Sequence, residues 1–247
     1  MSFFEAKGIT KSYEGTPIVS DIDLEIAKGE LVSLLGKSGV GKTTLFQVLS
    51  GLEAPDDGSV WFEGEEITGI PGKVGYMQQK DLLLPFKKLI DNLALPLLLK
   101  SVPTKEAYRR VLELLPIFGL GDAAALYPSQ LSGGMRQRAA LLRSFLFSEK
   151  MLLLDEPFSA LDAITKTSLL SWFNAIRIEL KLTCLLVSHD IEEALLLSDR
   201  LYVLSGQPGR LHYEMSLNFP GPRDAELTLD AAFIEKKREL LHVLESS

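Results

Sequence analysis

The sequence contains a single cysteine, Cys184, among 247 residues. No disulfide can close within one chain, and nothing in the cysteine content points to an oxidising compartment. Its place in the apolar run "LTCLLV" makes it a small core residue. Positive charge is in deficit: 26 Lys and Arg stand against 33 Asp and Glu, a formal net charge of −7. A general grip on nucleic acid needs a basic face, so that class of partner is disfavoured. Long apolar runs are missing too. The greasiest stretch, "LALPLLL", is interrupted by Pro96 and falls far short of the roughly 20 residues that a bilayer crossing requires. The opening "MSFFEAKGITKSYEG" has no basic stretch ahead of an apolar one, and no signal peptide is expected. Any work at a membrane would run through a partner.

What is present suits a folded protein with a sizeable core: 46% of residues are hydrophobic and 24% charged, within the ordinary range. The length fits one large domain, or one domain with an insertion. Four continuous apolar runs, "LVSLL" (31–35), "MLLLD" (151–155), "LTCLLV" (182–187) and "LYVL" (201–204), suit strands covered on both faces, as in a parallel sheet. Helical spacing follows the first run at Leu45, Val48, Leu49 and Leu52, and precedes the second at Met135, Ala139, Leu142 and Leu146. The N-terminal part, with "VWFEGEEI" and turns at "KGE" and "DDG", reads as antiparallel strands and hairpins. From about Leu82 to Glu149 a mostly helical block is punctuated by Pro85, Pro96, Pro103 and Pro116. The tail "AAFIEKKRELLHVLESS" predicts a short, packed amphipathic helix. No internal repeat stands out.

The stretch "GKSGVGKT", Gly36 to Thr43, matches the P-loop pattern, and it lies between a buried strand and an amphipathic helix as that motif requires. Backbone N–H groups of Gly36, Lys37, Ser38, Gly39, Val40 and Gly41 can converge on phosphate oxygens, with the helix start at Thr43 and Thr44 adding its positive end. Lys42 can reach the β- and γ-phosphates, and the Thr43 hydroxyl can ligate Mg²⁺. ATP or GTP with Mg²⁺ is therefore expected. "MLLLDEP" ends a strand in a carboxylate, which puts Asp155 at the ligand end of the sheet to hold the metal's water shell. Glu156 beside it is the expected general base or water-orienting group. "LTCLLV" runs into "SHD", so His189 also sits at a strand's C-terminal end, within reach of a γ-phosphate or attacking water.

These pieces, with "LSGG" at Leu131 to Gly134 and "SALD" at Ser159 to Asp162, occur in an order that resembles the ATP-binding cassette (ABC) family over nearly the whole chain. The resemblance implies an ABC ATPase fold, which is α/β: a P-loop core with a mostly parallel sheet flanked by helices, an N-terminal antiparallel β subdomain, and an inserted helical subdomain. Residues 1–247 would form one such domain, with 1–81 and 150–247 as core and about 82–149 as the helical signature subdomain. It implies that Tyr13 stacks on adenine and that Gln79 senses Mg²⁺ and the γ-phosphate. Gln78 is its neighbour, and Gln79 is chosen for its distance to "LLP". It further implies that two cassettes face head to tail, so that Ser132, Gly133 and Gly134 clasp the partner's ATP through the same helix-end physics. A homodimer is the simple case.

Three functional readings follow. The first is the ATPase subunit of an importer at the cytoplasmic face of the membrane, docking on integral permease subunits through the region near Leu82 to Leu99, with a solute-binding protein as further partner. The second is an exporter or lipid-extraction ATPase of the same type. The third, a cytosolic cassette acting on nucleic acid or ribosomes, is disfavoured: DNA-repair cassettes need long coiled coils between P-loop and signature, and ribosomal ones usually carry two cassettes. "DLLLPF" and "VLSGQPGRL" are similar to the importer group for nitrate, taurine, alkyl sulfonates and pyrimidine precursors of thiamine, although Phe86 stands where that group often has Trp. No added C-terminal regulatory domain is expected.

Overall fold

A computed structural model describes residues 2–159, 161–219 and 223–246 of the chain, without the side chain of Ala225. Ala160 of the "SALD" turn and Ser247 of the tail therefore lie outside the described residues. Two sheets organise the fold. The first is antiparallel and carries β1 (Phe4–Tyr13), β2 (Thr16–Ile26), β4 (Asp57–Phe62) and β5 (Glu65–Glu66), in the order β2-β1-β4-β5. The second carries β3 (Leu31–Leu35), β6 (Gly75–Met77), β7 (Met151–Asp155), β8 (Thr183–Ser188), β9 (Arg200–Ser205) and β10 (Arg210–Ser216), in the order β10-β9-β3-β8-β7-β6. All neighbours in it are parallel except β10, which pairs antiparallel with β9.

The four apolar runs are the central strands β3, β7, β8 and β9, and every residue of the first three is buried. Continuous hydrophobicity arises because both faces are covered. Helix α1 (Lys42–Leu49) packs Leu45, Phe46, Val48 and Leu49 into a cluster between the two sheets. On the other face, α2 (Leu89–Leu99), α3 (Thr104–Leu114), α4 (Gly133–Phe147) and α5 (Ala163–Glu179) share a second cluster. Helices α6 (Ile191–Leu197) and α7 (Ala231–Glu245) form a third with β9 and β10. α7 is the expected tail helix, anchored by buried Phe233 and Leu240.

Several local expectations need correction. Leu52 lies beyond the end of α1 and is exposed, because Gly51 turns the chain with φ +75°. The hairpin turns of the first sheet are Glu14–Gly15 and Glu63–Gly64, all four residues at positive φ as two-residue type I′ connections require. "DDG" instead opens β4, and "KGE" carries the chain from one sheet to the other. Pro96 does not break α2 but lies inside it. Its missing N–H removes the one helical bond that the Asn92 carbonyl would accept, and the helix runs on through it.

Candidate active site

The P-loop spans the gap between β3 and α1. Gly41 caps α1 in the left-handed region at φ 105°, and a Cβ there would meet Val19 Cγ1 at 2.7 Å, so glycine is required on both counts. Gly36 and Val40 are buried, whereas Lys37, Ser38, Gly39 and Thr43 are exposed and Thr44 is half-buried. Lys42 Nζ donates to the carbonyls of Gly36 at 2.7 Å and Lys37 at 2.9 Å. Burial pulls its pKa below the ordinary range, opposed by the charges of Glu156 and Asp155.

Asp155 ends β7 nearly buried. Burial raises its pKa, and the hydroxyl of Tyr76, which donates to Oδ2 at 3.2 Å, works the other way. Tyr76, on the short strand β6 paired with β7, is a residue that sequence reasoning missed. Its only signal was an aromatic ahead of the two glutamines. Glu156 follows with φ 46°, a left-handed backbone that a non-glycine residue adopts at a cost of about 1–3 kcal/mol. Its N–H donates to the Val187 carbonyl at 3.0 Å, and its own carbonyl accepts from the Ser159 hydroxyl at 3.0 Å. Two other side chains meet the carboxylate that follows this bend. His189 Nδ1 lies 3.2 Å from Glu156 Oε2. Gln79 Nε2 donates to the same oxygen at 3.1 Å and to Ser159 Oγ at 3.4 Å.

Gln78 points elsewhere, into a groove of about 360 Å³ bordered by Leu52, Tyr76, Leu95, Leu99 and Phe147. The backbone just beyond Gln79 is held by α4, since Arg143 donates to the carbonyls of Asp81 at 2.5 Å and Leu82 at 2.8 Å. Arg143 was not singled out from sequence; one arginine in a helix named no target. Asn92 is a second omission. Fully buried, it accepts from Leu84 N–H at 2.7 Å and donates to the carbonyls of Leu84, Lys87 and Lys88. Those bonds shape the loop that carries exposed Phe86.

Tyr13 stands apart from the carboxylate cluster, at the end of β1. Its hydroxyl donates to Glu53 and also meets Thr44, and the Glu53 carboxylate, ahead of burial, pushes the phenol's pKa up. Tyr13 as a residue remains 40% exposed, with Lys11 Nζ 5.6 Å from the ring centroid, and an exposed aromatic can stack on a flat ligand. Ser132 caps α4 and accepts from Met135 N–H at 3.3 Å. Gly133 and Gly134 open that helix, and Cβ atoms on them would lie 3.3 Å from Leu161 and 3.2 Å from Thr165. The structure thus gathers Lys42, Asp155, Glu156, Gln79 and His189, while the signature turn packs beside the start of α5.

Residues 19–159 match a family model described as ABC transporter. The chain is similar to the formylaminopyrimidine import ATP-binding protein ThiZ of Halalkalibacterium halodurans, with 47% identity over 193 residues, 78% of this chain and 75% of that one. It is 40% identical over 237 residues to the aliphatic sulfonates import ATP-binding protein SsuB 1 of Xanthomonas axonopodis pv. citri, covering 96% and 94%. Among solved structures, a dimeric ATP-binding cassette in a post-hydrolysis state, bound to ADP and Pi, matches with a TM-score of 0.74 and 28% identity, over 87% of this chain and 99% of that one.

Proposed function

The chain belongs to the ABC transporter family, and on that premise we propose that it is the ATP-hydrolysing subunit of a small-solute importer. The observation that carries the reading is the convergence of His189 and Gln79 on the Glu156 carboxylate, at 3.2 and 3.1 Å, beside the P-loop lysine. In this reading Glu156 orients the attacking water or takes its proton, and His189 and Gln79 hold that carboxylate in place. Lys42 and the amides of residues 36–41 bind the triphosphate, and Tyr13 takes the adenine.

The donor set fits Mg²⁺. Among the described residues no cluster of three or more His, Cys, Asp or Glu side chains could hold a metal ion, but Mg²⁺ typically takes one or two protein ligands and completes its shell from phosphates and water. Thr43, Asp155 and Gln79 are the proposed protein contribution. When bound, the ion would neutralise charge on the β- and γ-phosphates.

No described helix is long and apolar enough to cross a membrane, so permease subunits would supply the path. The groove beside Gln78 fits a docking segment of such a subunit: Leu52 and Leu99 border it and are 56 and 79% exposed. A solute-binding protein, a place at the cytoplasmic face, and division into a core (1–81, 150–247) and a signature subdomain (about 82–149) belong to the same reading. The import names of the relatives, which run from formylaminopyrimidine and aliphatic sulfonates to sulfate/thiosulfate, support a small solute as cargo.

The test is Glu156→Gln. Phosphate release should fall about 10²-fold or more while ATP still binds. Release at the wild-type rate would remove Glu156 from the chemistry.

A further inference from the structure

Helix α5 begins directly after Asp162, and α6 directly after Asp190, the residue that follows His189. Each starts from its own aspartate cap: Asp162 accepts from Thr165 N–H at 3.0 Å, and Asp190 from Glu192 N–H at 2.9 Å and Glu193 N–H at 3.3 Å. One side chain joins these two starts. Lys166 Nζ, one turn into α5, donates to Asp190 Oδ2 at 2.7 Å and lies 2.9 Å from Glu193 Oε2. Its own N–H donates to the Asp162 carbonyl at 2.9 Å, so the residue that reaches α6 also closes the first bond of α5.

The cluster is costly to build. Glu193 is 3% exposed, and burying a carboxylate is unfavourable unless a counter-charge and hydrogen bonds compensate. Burial raises the pKa of Glu193, with Lys166 opposing it most strongly. Burial would raise that of Asp190 too, but the hydrogen bond and charge of Lys166, together with the N–H groups of Glu193 and Glu192, hold it low. A hydrophobic contact would join two helices at lower cost, whereas a lysine between two carboxylates fixes a direction. Asp190 is the residue after His189, and Ser188 on the other side is tied in as well, its hydroxyl accepting from Asp190 N–H at 3.0 Å. The imidazole between them is 55% exposed and has little packing to hold it against Glu156.

We propose that Lys166 is a positioning residue for ATP hydrolysis, locking the start of α6 to the start of α5 and so keeping His189 on the Glu156 carboxylate. The inference rests on the ATPase reading above. Removing Lys166 alone would leave Glu193 buried without its cation, so a loss of activity could reflect stability only. Lys166→Met combined with Glu193→Gln removes that penalty and still leaves Asp190 without its partner. This double variant should lower kcat about tenfold, the scale of a small misplacement of a reacting group, with the ATP dissociation constant within about twofold of wild type, since no residue of the nucleotide cradle changes. Lys166→Arg keeps both ion pairs, and the cavity of about 300 Å³ beside Lys166 has room for it, so it should retain at least about half the wild-type kcat.

Full-chain phosphate release and fluorescent-nucleotide titration read both quantities, and thermal melting shows whether each variant folds. A double variant at the wild-type kcat, or one whose ATP affinity falls in step with kcat, overturns the proposal. If the double variant does not fold, Asp190→Asn decides: asparagine caps a helix as well as aspartate but loses the ion pair, and a wild-type kcat there overturns the proposal equally. A wild-type chain that releases no phosphate would overturn the ATPase reading and this inference with it. An active wild type with equally active variants overturns this inference alone.

Discussion

The site depends on a few side chains held in positions they would not adopt alone. Glu156 tolerates a left-handed backbone at φ 46° because the Val187 carbonyl and the Ser159 hydroxyl hold the bend from both sides. Asp155 sits where burial opposes its charge, and Tyr76 supplies a compensating donor. If Asp155 holds the metal side of the nucleotide, Tyr76→Phe should raise the Mg²⁺ concentration needed for half-maximal phosphate release several-fold. A hydrogen bond to a charged group is worth about 1.5–3 kcal/mol, and its loss makes the ionised carboxylate harder to keep. An unchanged Mg²⁺ midpoint would show that Asp155 gains nothing from the tyrosine. Lys42→Ala acts earlier, on binding. With the cation that faces the triphosphate gone, ATP affinity should drop by about 10²-fold or more, and fluorescent-nucleotide titration checks it; an unchanged affinity would mean that the cradle is not where ATP binds.

At the scale of elements, the helical block is joined to the core by close backbone approach. Gly75 of β6 faces α4: a Cβ there would lie 2.6 Å from the Ser144 carbonyl oxygen and 2.7 Å from Leu152 Cδ2. Gly75→Ala should therefore push α4 from the sheet and destabilise the fold by about 1–3 kcal/mol, read from the urea midpoint; an unshifted midpoint would show that the contact is slack. Legibility in the sequence follows the same physics. β3, β7, β8 and β9 could be read because strands buried on both faces must be apolar throughout. β6 could not, since three residues beginning with glycine carry no pattern, and its place comes from pairing with β7. Pro96 misled because a proline reads as a helix end, while α2 runs on through it with the loss of one backbone bond. In the site, P-loop, Asp155 and Glu156 could be read from type and spacing. Tyr76, Asn92, Arg143 and Lys166 could not, because each acts on a partner at least eight residues away through contacts that only the fold creates.

On the scale of the whole molecule, the signature turn has neighbours of its own within the chain. Ser132 uses its hydroxyl to cap α4, and the glycines behind it lie against Leu161 and Thr165 rather than the carboxylate cluster. A helix start of this kind attracts anions, and the dimeric form of the structurally similar cassettes supports a second copy as the source of that anion. Bound ATP would then be part of the interface, and hydrolysis would loosen it. The most direct test is sedimentation of Glu156→Gln with ATP and EDTA, set against the Ser132→Arg, Glu156→Gln double variant. Glu156→Gln should sediment as a dimer because it binds ATP without consuming it. The double variant should bind ATP equally but remain a monomer, its arginine filling the space where the partner's γ-phosphate enters. A double variant that dimerises as tightly as Glu156→Gln alone would contradict a site shared between two copies.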